Sequence, residues 1–302
     1  MTNPAYAIQT SDVSRYFGAQ RAVHQLSLRV PESGIYGFLG LNGAGKTTTV
    51  RLLLGLIQSD AGSIHLFGKP FSNSLLRRIG SLVDMPSLYS HLTGRENLEV
   101  TRRLIEAPRS KIDHALAVVR LTTDADRLVR DYSLGMRQRL GLALAIMNSP
   151  DLLILDEPTN GLDPAGIHEM RDLLRDMPRE HGVTIFLSSH LLNEVEQVAD
   201  FVGIIHEGHL MFQGSLAELR ERQNRELKVG VRQADKALEF LSSADLDARI
   251  VGQDVISIQE AAIDASQVIR MLVESGYEVF HASLEQESLE DIFLSLTGGA
   301  KQ

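Results

Sequence analysis

The sequence contains no cysteine, which excludes disulfides, zinc–thiolate sites and thiol catalysis. A chain without disulfides fits a reducing cytosol. Long hydrophobic runs are also missing. The longest candidate, Leu140 to Met147, is well short of the roughly 18 apolar residues needed to cross a bilayer. The opening Met1-Thr2-Asn3-Pro4-Ala5-Tyr6 lacks the basic and apolar regions of a secretory signal. Together these absences predict a chain that is soluble by itself. There is no basic excess either: 30 Lys and Arg against 39 Asp and Glu give a net charge of −9. That balance argues against a nucleic-acid binder working by bulk electrostatics, and no nucleic-acid partner is expected. Internal repeats and low-complexity segments are absent. The 302 residues, 43% hydrophobic and 23% charged, suit a globular protein of one large domain or two smaller ones.

What is present is a glycine loop, Gly40-Leu41-Asn42-Gly43-Ala44-Gly45-Lys46-Thr47. It follows the apolar run Ile35-Tyr36-Gly37-Phe38-Leu39 and opens onto Thr48-Thr49-Val50-Arg51-Leu52-Leu53-Leu54, a helix pattern. Strand, glycine loop and helix form the context that a phosphate-binding P-loop requires. The glycines let the backbone curl so that successive N–H groups point at a β-phosphate, and the helix N-terminus adds partial positive charge. Lys46 can span the β- and γ-phosphates, and Thr47 offers a hydroxyl to Mg²⁺. The candidate nucleotide contacts are therefore Gly40, Asn42, Gly43, Ala44, Gly45, Lys46, Thr47 and Thr48. A chance glycine-rich turn is the bland alternative, and the strand and helix flanks count against it.

Residues 5 to 39 read as strands, with partial period-2 alternation over Ala22 to Val30. Gly62 to Gly68 is a short strand bounded by glycines, and Ile79 to Val83 is a further apolar run. From about residue 85 to 130, apolar residues fall at helical spacings among many charges, which predicts a helical subdomain inserted in an α/β core. Leu152-Leu153-Ile154-Leu155 is the fully apolar pattern of a central parallel strand. Pro164 to Met177 predicts a helix with Asp163 as N-cap, and Val183 to Leu187 another buried strand. A helix is expected from Leu191 to about Ala199, and a hairpin around Glu207-Gly208. Beyond residue 224 the order strand, helix, strand, strand, helix, strand suggests a small ferredoxin-like domain. Ser288 to Leu296 closes the chain as a short amphipathic helix.

A P-loop needs partners for the metal and the attacking water. Asp156, at the carboxyl end of the buried strand, suits a Walker B aspartate holding Mg²⁺. Glu157 beside it projects differently and suits a general base, an effect worth roughly 10² to 10⁴ in rate. His190 closes the next strand, at the same sheet edge as the loop and the two acids, where it can donate to a γ-phosphate. Ser133 and Gly135 stand at the start of the apolar helix Leu140 to Met147; on their own they are an ordinary N-cap or a second phosphate-binding helix end.

The order of these pieces resembles the nucleotide-binding domain of ABC transporters. The resemblance covers residues 5 to 220: the P-loop, then Tyr132–Arg139, then Leu152–Glu157, then Asn160-Gly161-Leu162-Asp163, then His190. It implies that Tyr132–Arg139 is the signature motif, with Ser133 and Gly135 contacting nucleotide. It makes Asn160–Asp163 the D-loop, with Asp163 a nucleotide contact, and His190 the switch histidine. It also implies that Phe17 stacks on adenine, with Tyr16 as the nearby competitor. Leu134 and Met136 stand where the family usually has glycine and glutamine. Asp84 stands at the Q-loop position, where the family has Gln or Glu, as a candidate Mg²⁺ ligand one methylene shorter than glutamate.

The fold implied is a P-loop NTPase core of ABC type, class α/β, with a helical subdomain inserted at about 85–140. A linker at 221–226 and a C-terminal α+β accessory domain at 227–302 complete it. The resemblance further implies an ATPase that uses ATP and Mg²⁺ and pairs head to tail with a second copy. Such a pair would sit on the inner face of the cell membrane against a separate integral-membrane permease. The single ATPase domain followed by Ser288-Leu289-Glu290-Asp291-Ile292-Phe293, together with Ile79–Pro86 and His91–Leu98, is similar to bacterial exporters serving bacitracin and lantibiotic resistance. Two other readings stay open at this point: a soluble ABC-type ATPase acting on ribosomes or DNA, and a nucleotide-switch regulator that does not hydrolyse.

Overall fold

The computed structural model describes residues 5–83, 86–221, 225–244, 246–259, 264–286 and 288–297. The chain divides into two compact units, residues 1–216 and 217–302. The first opens with β1 (Tyr6–Phe17), β2 (Gln20–Leu26), β3 (Arg29–Pro31), β4 (Gly34–Leu39), α1 (Lys46–Leu53), β5 (Ala61–Leu66), β6 (Lys69–Pro70) and β7 (Ile79–Leu82). Helices α2 (Gly94–Leu104), α3 (Ser110–Val118) and α4 (Leu134–Ile146) follow. Then come β8 (Leu152–Asp156), α5 (Pro164–His181), β9 (Thr184–Ser189), α6 (Leu192–Glu196), β10 (Phe201–His206) and β11 (His209–Ser215). Helix α7 (Leu216–Glu221) straddles the division.

The central sheet has six strands in the order β11-β10-β4-β9-β8-β7. All neighbours run parallel except β11, which returns from β10 as an antiparallel hairpin. Strands β8 and β9 are buried along their whole length, as expected when a parallel sheet is covered on both faces. Tyr36 of β4 stacks on Phe186 of β9 with ring centroids 5.7 Å apart. Burial pushes the Tyr36 hydroxyl far above its usual range, so it stays protonated. Because β4, β8 and β9 are parallel, the segments after Leu39, Asp156 and Ser189 all emerge at one edge. In open α/β sheets that carboxyl edge is where ligands bind.

A second, antiparallel sheet runs β2-β1-β5-β6, with β3 also on β1. The alternation over Ala22 to Val30 predicts one strand there, whereas the chain forms two. Gln25 takes φ 48°, and the buried Thr10 hydroxyl spans the break, donating to Leu26 O (2.7 Å) and accepting from Leu28 N (2.8 Å). Leu26, Leu28 and Val30 stay buried on both sides of it, so the period-2 pattern hides the kink. Between β7 and β8 the described elements are helices, α2 to α4. Helix α2 starts in a capping box, with Thr93 accepting from Glu96 N and Glu96 from Thr93 N.

The second unit contains β12 (Arg225–Val231), α8 (Ala234–Ser243), β13 (Ala248–Gly252), β14 (Val255–Gln259), α9 (Ala265–Glu274), β15 (Val279–Gln286) and α10 (Leu289–Leu296). Its sheet is antiparallel in the order β13-β14-β12-β15, the split βαβ arrangement of ferredoxin-like folds. Leu227, Val229 and Ile256 of the sheet and Leu241 and Leu272 of the helices form its core.

Candidate active site

Gly40 to Thr47 curls as the glycine spacing predicts. Gly43 and Gly45 adopt φ 82° and 110°, backbone that residues with a Cβ rarely take. At Gly40 an added Cβ would lie 2.6 Å from Ile205 O, so the loop can sit against β10 only with glycine there. The β10–β11 turn supports the loop from below, Gly208 N donating to Ala44 O (2.9 Å).

Lys46 at the start of α1 is buried. Its Nζ donates to Gly40 O (2.7 Å) and Leu41 O (3.3 Å) and lies 3.2 Å from Glu157 Oε1. The other oxygen of Glu157 meets His190 Nδ1 at 2.6 Å. One carboxylate thus bridges the loop lysine and the histidine. Glu157 has φ 51°, a left-handed conformation that turns its side chain away from the direction β8 would give it. Asp156, in the last position of β8, is buried and accepts from the Ser188 hydroxyl.

These groups line one open cleft of about 630 Å³. Of the expected contacts, Phe17, Asn42, Gly43, Gly45, Lys46, Thr47, Thr48, Asp156, Glu157 and His190 line it. Gly40 and Ala44 shape the loop from behind. Tyr16 is outside the lining and bonds His24 Nδ1 (3.1 Å), so Phe17, 47% exposed, is the aromatic facing the cleft. The guanidinium of Arg15 lies 4.9 Å from the Phe17 ring centroid.

Ser133, Gly135 and Asp163 are not brought to the cleft. Ser133 caps α4 by accepting from Met136 N (3.2 Å), and Asp163 caps α5 by accepting from Gly166 N (3.0 Å). At Gly135 a Cβ would meet Leu162 Cδ2 at 3.9 Å, and at Gly161 one would meet Leu134 Cδ2 at 3.3 Å. The signature segment therefore packs on the D-loop of its own chain. Asp84 lies outside the described residues. Three residues without a role in the sequence reading belong to the site: Gln20 and Ala22 in the lining, and Ser188 beneath the two acids. Gln138 of the signature segment and Asn160 of the D-loop line the cleft as well. For Ser188 the sequence shows only a serine after the apolar run of β9; its place opposite Asp156 comes from the register of the sheet.

A lysine in a glycine loop, two adjacent carboxylates and a histidine in one cleft can hold a polyphosphate and deprotonate a water beside it. Residues 23–160 match the family described as ABC transporter. Over 298 residues the chain is 43% identical to the bacitracin transport ATP-binding protein BcrA of Bacillus licheniformis, covering 97% of each. The chain belongs to the ABC transporter family. It is an ATP-binding subunit of that family, and its reaction is hydrolysis of ATP. The lantibiotic transport ATP-binding protein SrtF of Streptococcus pyogenes is 40% identical over 68% of this chain and 90% of its own length. Among solved ABC structures, cbiO1 from Clostridium perfringens, part of the ABC transporter complex cbiONQ, superposes with a TM-score of 0.67. It is 27% identical and is matched over 72% of this chain and 92% of its own.

Proposed function

We propose that this ABC ATPase drives an exporter, working as a pair of copies on a separate membrane permease and moving an antimicrobial peptide or other small hydrophobic cargo. The Lys46–Glu157–His190 chain in one cleft carries the catalytic part of the reading. The exporter class and cargo rest on the bacitracin and lantibiotic transport proteins to which the chain is similar. Among the described residues no helix is long and apolar enough to cross a membrane, which is consistent with a permease on another polypeptide and a peripheral position for this one. Residues 5–220 serve as the ATPase domain, with the 85–140 segment as its helical subdomain, and 227–302 as an accessory domain.

In this mechanism Lys46 leaves the carbonyls of Gly40 and Leu41 for the β- and γ-phosphate oxygens, and Phe17 stacks on the base. Glu157, released from Lys46, accepts a proton from the attacking water. The water oxygen bonds to the γ-phosphorus as the bond to the bridging oxygen breaks, leaving ADP and phosphate. His190 orients Glu157 and donates toward the γ-phosphate. The donors near the phosphate position suit Mg²⁺: Thr47 and Asp156 supply hard oxygens in the cleft lining. No group of three or more His, Cys, Asp or Glu side chains converges as a metal cage among the described residues. A site of two protein oxygens completed by phosphate and water is magnesium's usual habit. When bound, the ion offsets charge on the phosphates.

Ser133 and Gly135 lie off the lining of their own chain's cleft, which favours a second copy supplying them to the γ-phosphate. The test is Glu157→Gln with phosphate release and light scattering as readouts. Turnover is expected to vanish while ATP holds a dimer together. Hydrolysis within threefold of the parent overturns the assignment of Glu157.

A further inference from the structure

Ser188 sits in β9 with no solvent exposure, paired across the sheet with Asp156. Its hydroxyl does two things. The Oγ–H donates to Asp156 Oδ1, and the same oxygen accepts the Glu157 main-chain N–H at 3.1 Å. That N–H is shared with Ser188 O at 3.2 Å. Serine can do both because a hydroxyl carries one donor and two acceptor positions.

We propose that Ser188 is the positioning residue for both carboxylates of the ATPase site. The proposal rests on the roles given above to Asp156 and Glu157. A β-strand aims successive side chains to opposite faces, so two adjacent acids cannot serve one cleft unless the chain turns between them. The turn is the left-handed conformation of Glu157, φ 51°, which carries an energetic cost for a residue with a Cβ. The two bonds from Glu157 N to Ser188 hold it there. The carboxylate then reaches Lys46 and His190 instead of following the strand. The same hydroxyl ties down Oδ1 of Asp156, fixing the rotamer and leaving Oδ2 as the oxygen presented to the cleft. The Ser188 hydroxyl bonds the two acids and not Lys46 or the loop, so its effect falls on hydrolysis and not on capture of the nucleotide.

The test compares Ser188→Ala with Thr184→Ala in the full chain. Thr184 lies in the same strand, is also buried, and accepts one main-chain bond, from Ser33 N at 2.9 Å, at the opposite end. Its replacement therefore removes a buried hydroxyl and a main-chain bond from the same strand without touching the acids. Ser188→Ala is expected to lower kcat by about 10- to 100-fold, the range for removing a partner that orients a site ligand. ATP affinity measured in EDTA should stay within twofold of the parent, which also shows that the variant is folded. Thr184→Ala should keep kcat. A Ser188→Ala kcat within twofold of the parent, or an equal loss in Thr184→Ala, overturns the proposal. Glu157→Gln assayed alongside separates the two ideas. If it abolishes turnover while Ser188→Ala does not, only the positioning role fails; if Glu157→Gln still turns over, the base assignment fails as well.

Discussion

Glu157 holds Lys46 at 3.2 Å. The residue assigned to activate water is therefore the counter-ion of the residue assigned to bind phosphate. Nucleotide must take Lys46 away from the carboxylate, and the same exchange frees the base. Glu157→Gln should then tighten binding of a non-hydrolysable ATP analogue in EDTA, because a neutral amide competes less well for the ammonium. Only one partner is well buried, so the pair is worth about 1 kcal/mol and the gain should be about fivefold. Fluorescence titration of the two proteins reads it; weaker binding in the variant would show that Glu157 does not compete.

Lys46→Ala removes a buried cation whose ligands are two main-chain carbonyls and one acid. Charge-assisted hydrogen bonds are worth about 1.5–3 kcal/mol, so calorimetry should show ATP affinity down by about 10- to 100-fold. Unchanged affinity would mean that the loop is not the phosphate site.

Phe17 faces the cleft and Tyr16 does not. Base stacking on an aromatic is worth about 1–3 kcal/mol. Phe17→Ala should thus weaken ATP by about tenfold or more while leaving tripolyphosphate, which has no base, unchanged. Tyr16→Ala should alter neither. Equal losses for ATP and tripolyphosphate would place Phe17 at the loop and not at the base.

How far the sequence anticipated this site depends on how local each feature is. The glycine loop, the apolar run into Asp156 and the helix caps at Ser133 and Asp163 are specified within a few residues, and their spacing alone located them. Phe17 was expected by resemblance, with Tyr16 its competitor, because adjacent residues of an irregular strand can each face either way. The kink at Gln25 was hidden because the buried faces continue through it. The bridge from Lys46 through Glu157 to His190 joins three segments, His190 lying 33 residues beyond Glu157 and Lys46 far upstream of both. It requires the parallel register of β4, β9 and β8, which no short pattern encodes. Ser188 went unassigned for the same reason: its meaning comes from the residue paired opposite it.

In α2, Arg102 and Arg103 hold the Glu99 carboxylate down, from an ordinary 4.5 to about 2. A folded-state pKa below the unfolded one adds stability that is fully present above the unfolded value and is lost as pH falls through the folded one. Glu99→Gln should therefore lower Tm at pH 7. The gap to the parent should narrow as pH drops from 4.5 toward 2, and it should shrink in high salt because the pairs are partly exposed. A gap that stays constant over that range would mean that the ion pairs do not set it.

The remaining prediction concerns the second copy. Gly135 tolerates a Cβ sterically, its nearest neighbour being Leu162 Cδ2 at 3.9 Å, so Gly135→Asp should fold while placing a negative charge where a γ-phosphate is expected from the other chain. If each site combines one chain's loop with the other chain's signature, Lys46→Ala and Gly135→Asp are each inactive as homodimers. A mixed dimer behaves differently. One of its two sites carries both defects, and the other pairs an intact Lys46 with an intact Gly135. An equimolar mixture of exchanging subunits contains mixed dimers as half its population, each with one sound site, so about a quarter of all sites recover. Mixing the two inactive proteins should restore ATPase toward that fraction where one sound site suffices. No gain over the separate variants, or a Gly135→Asp protein that hydrolyses ATP unaided, would mean that each chain completes its own site.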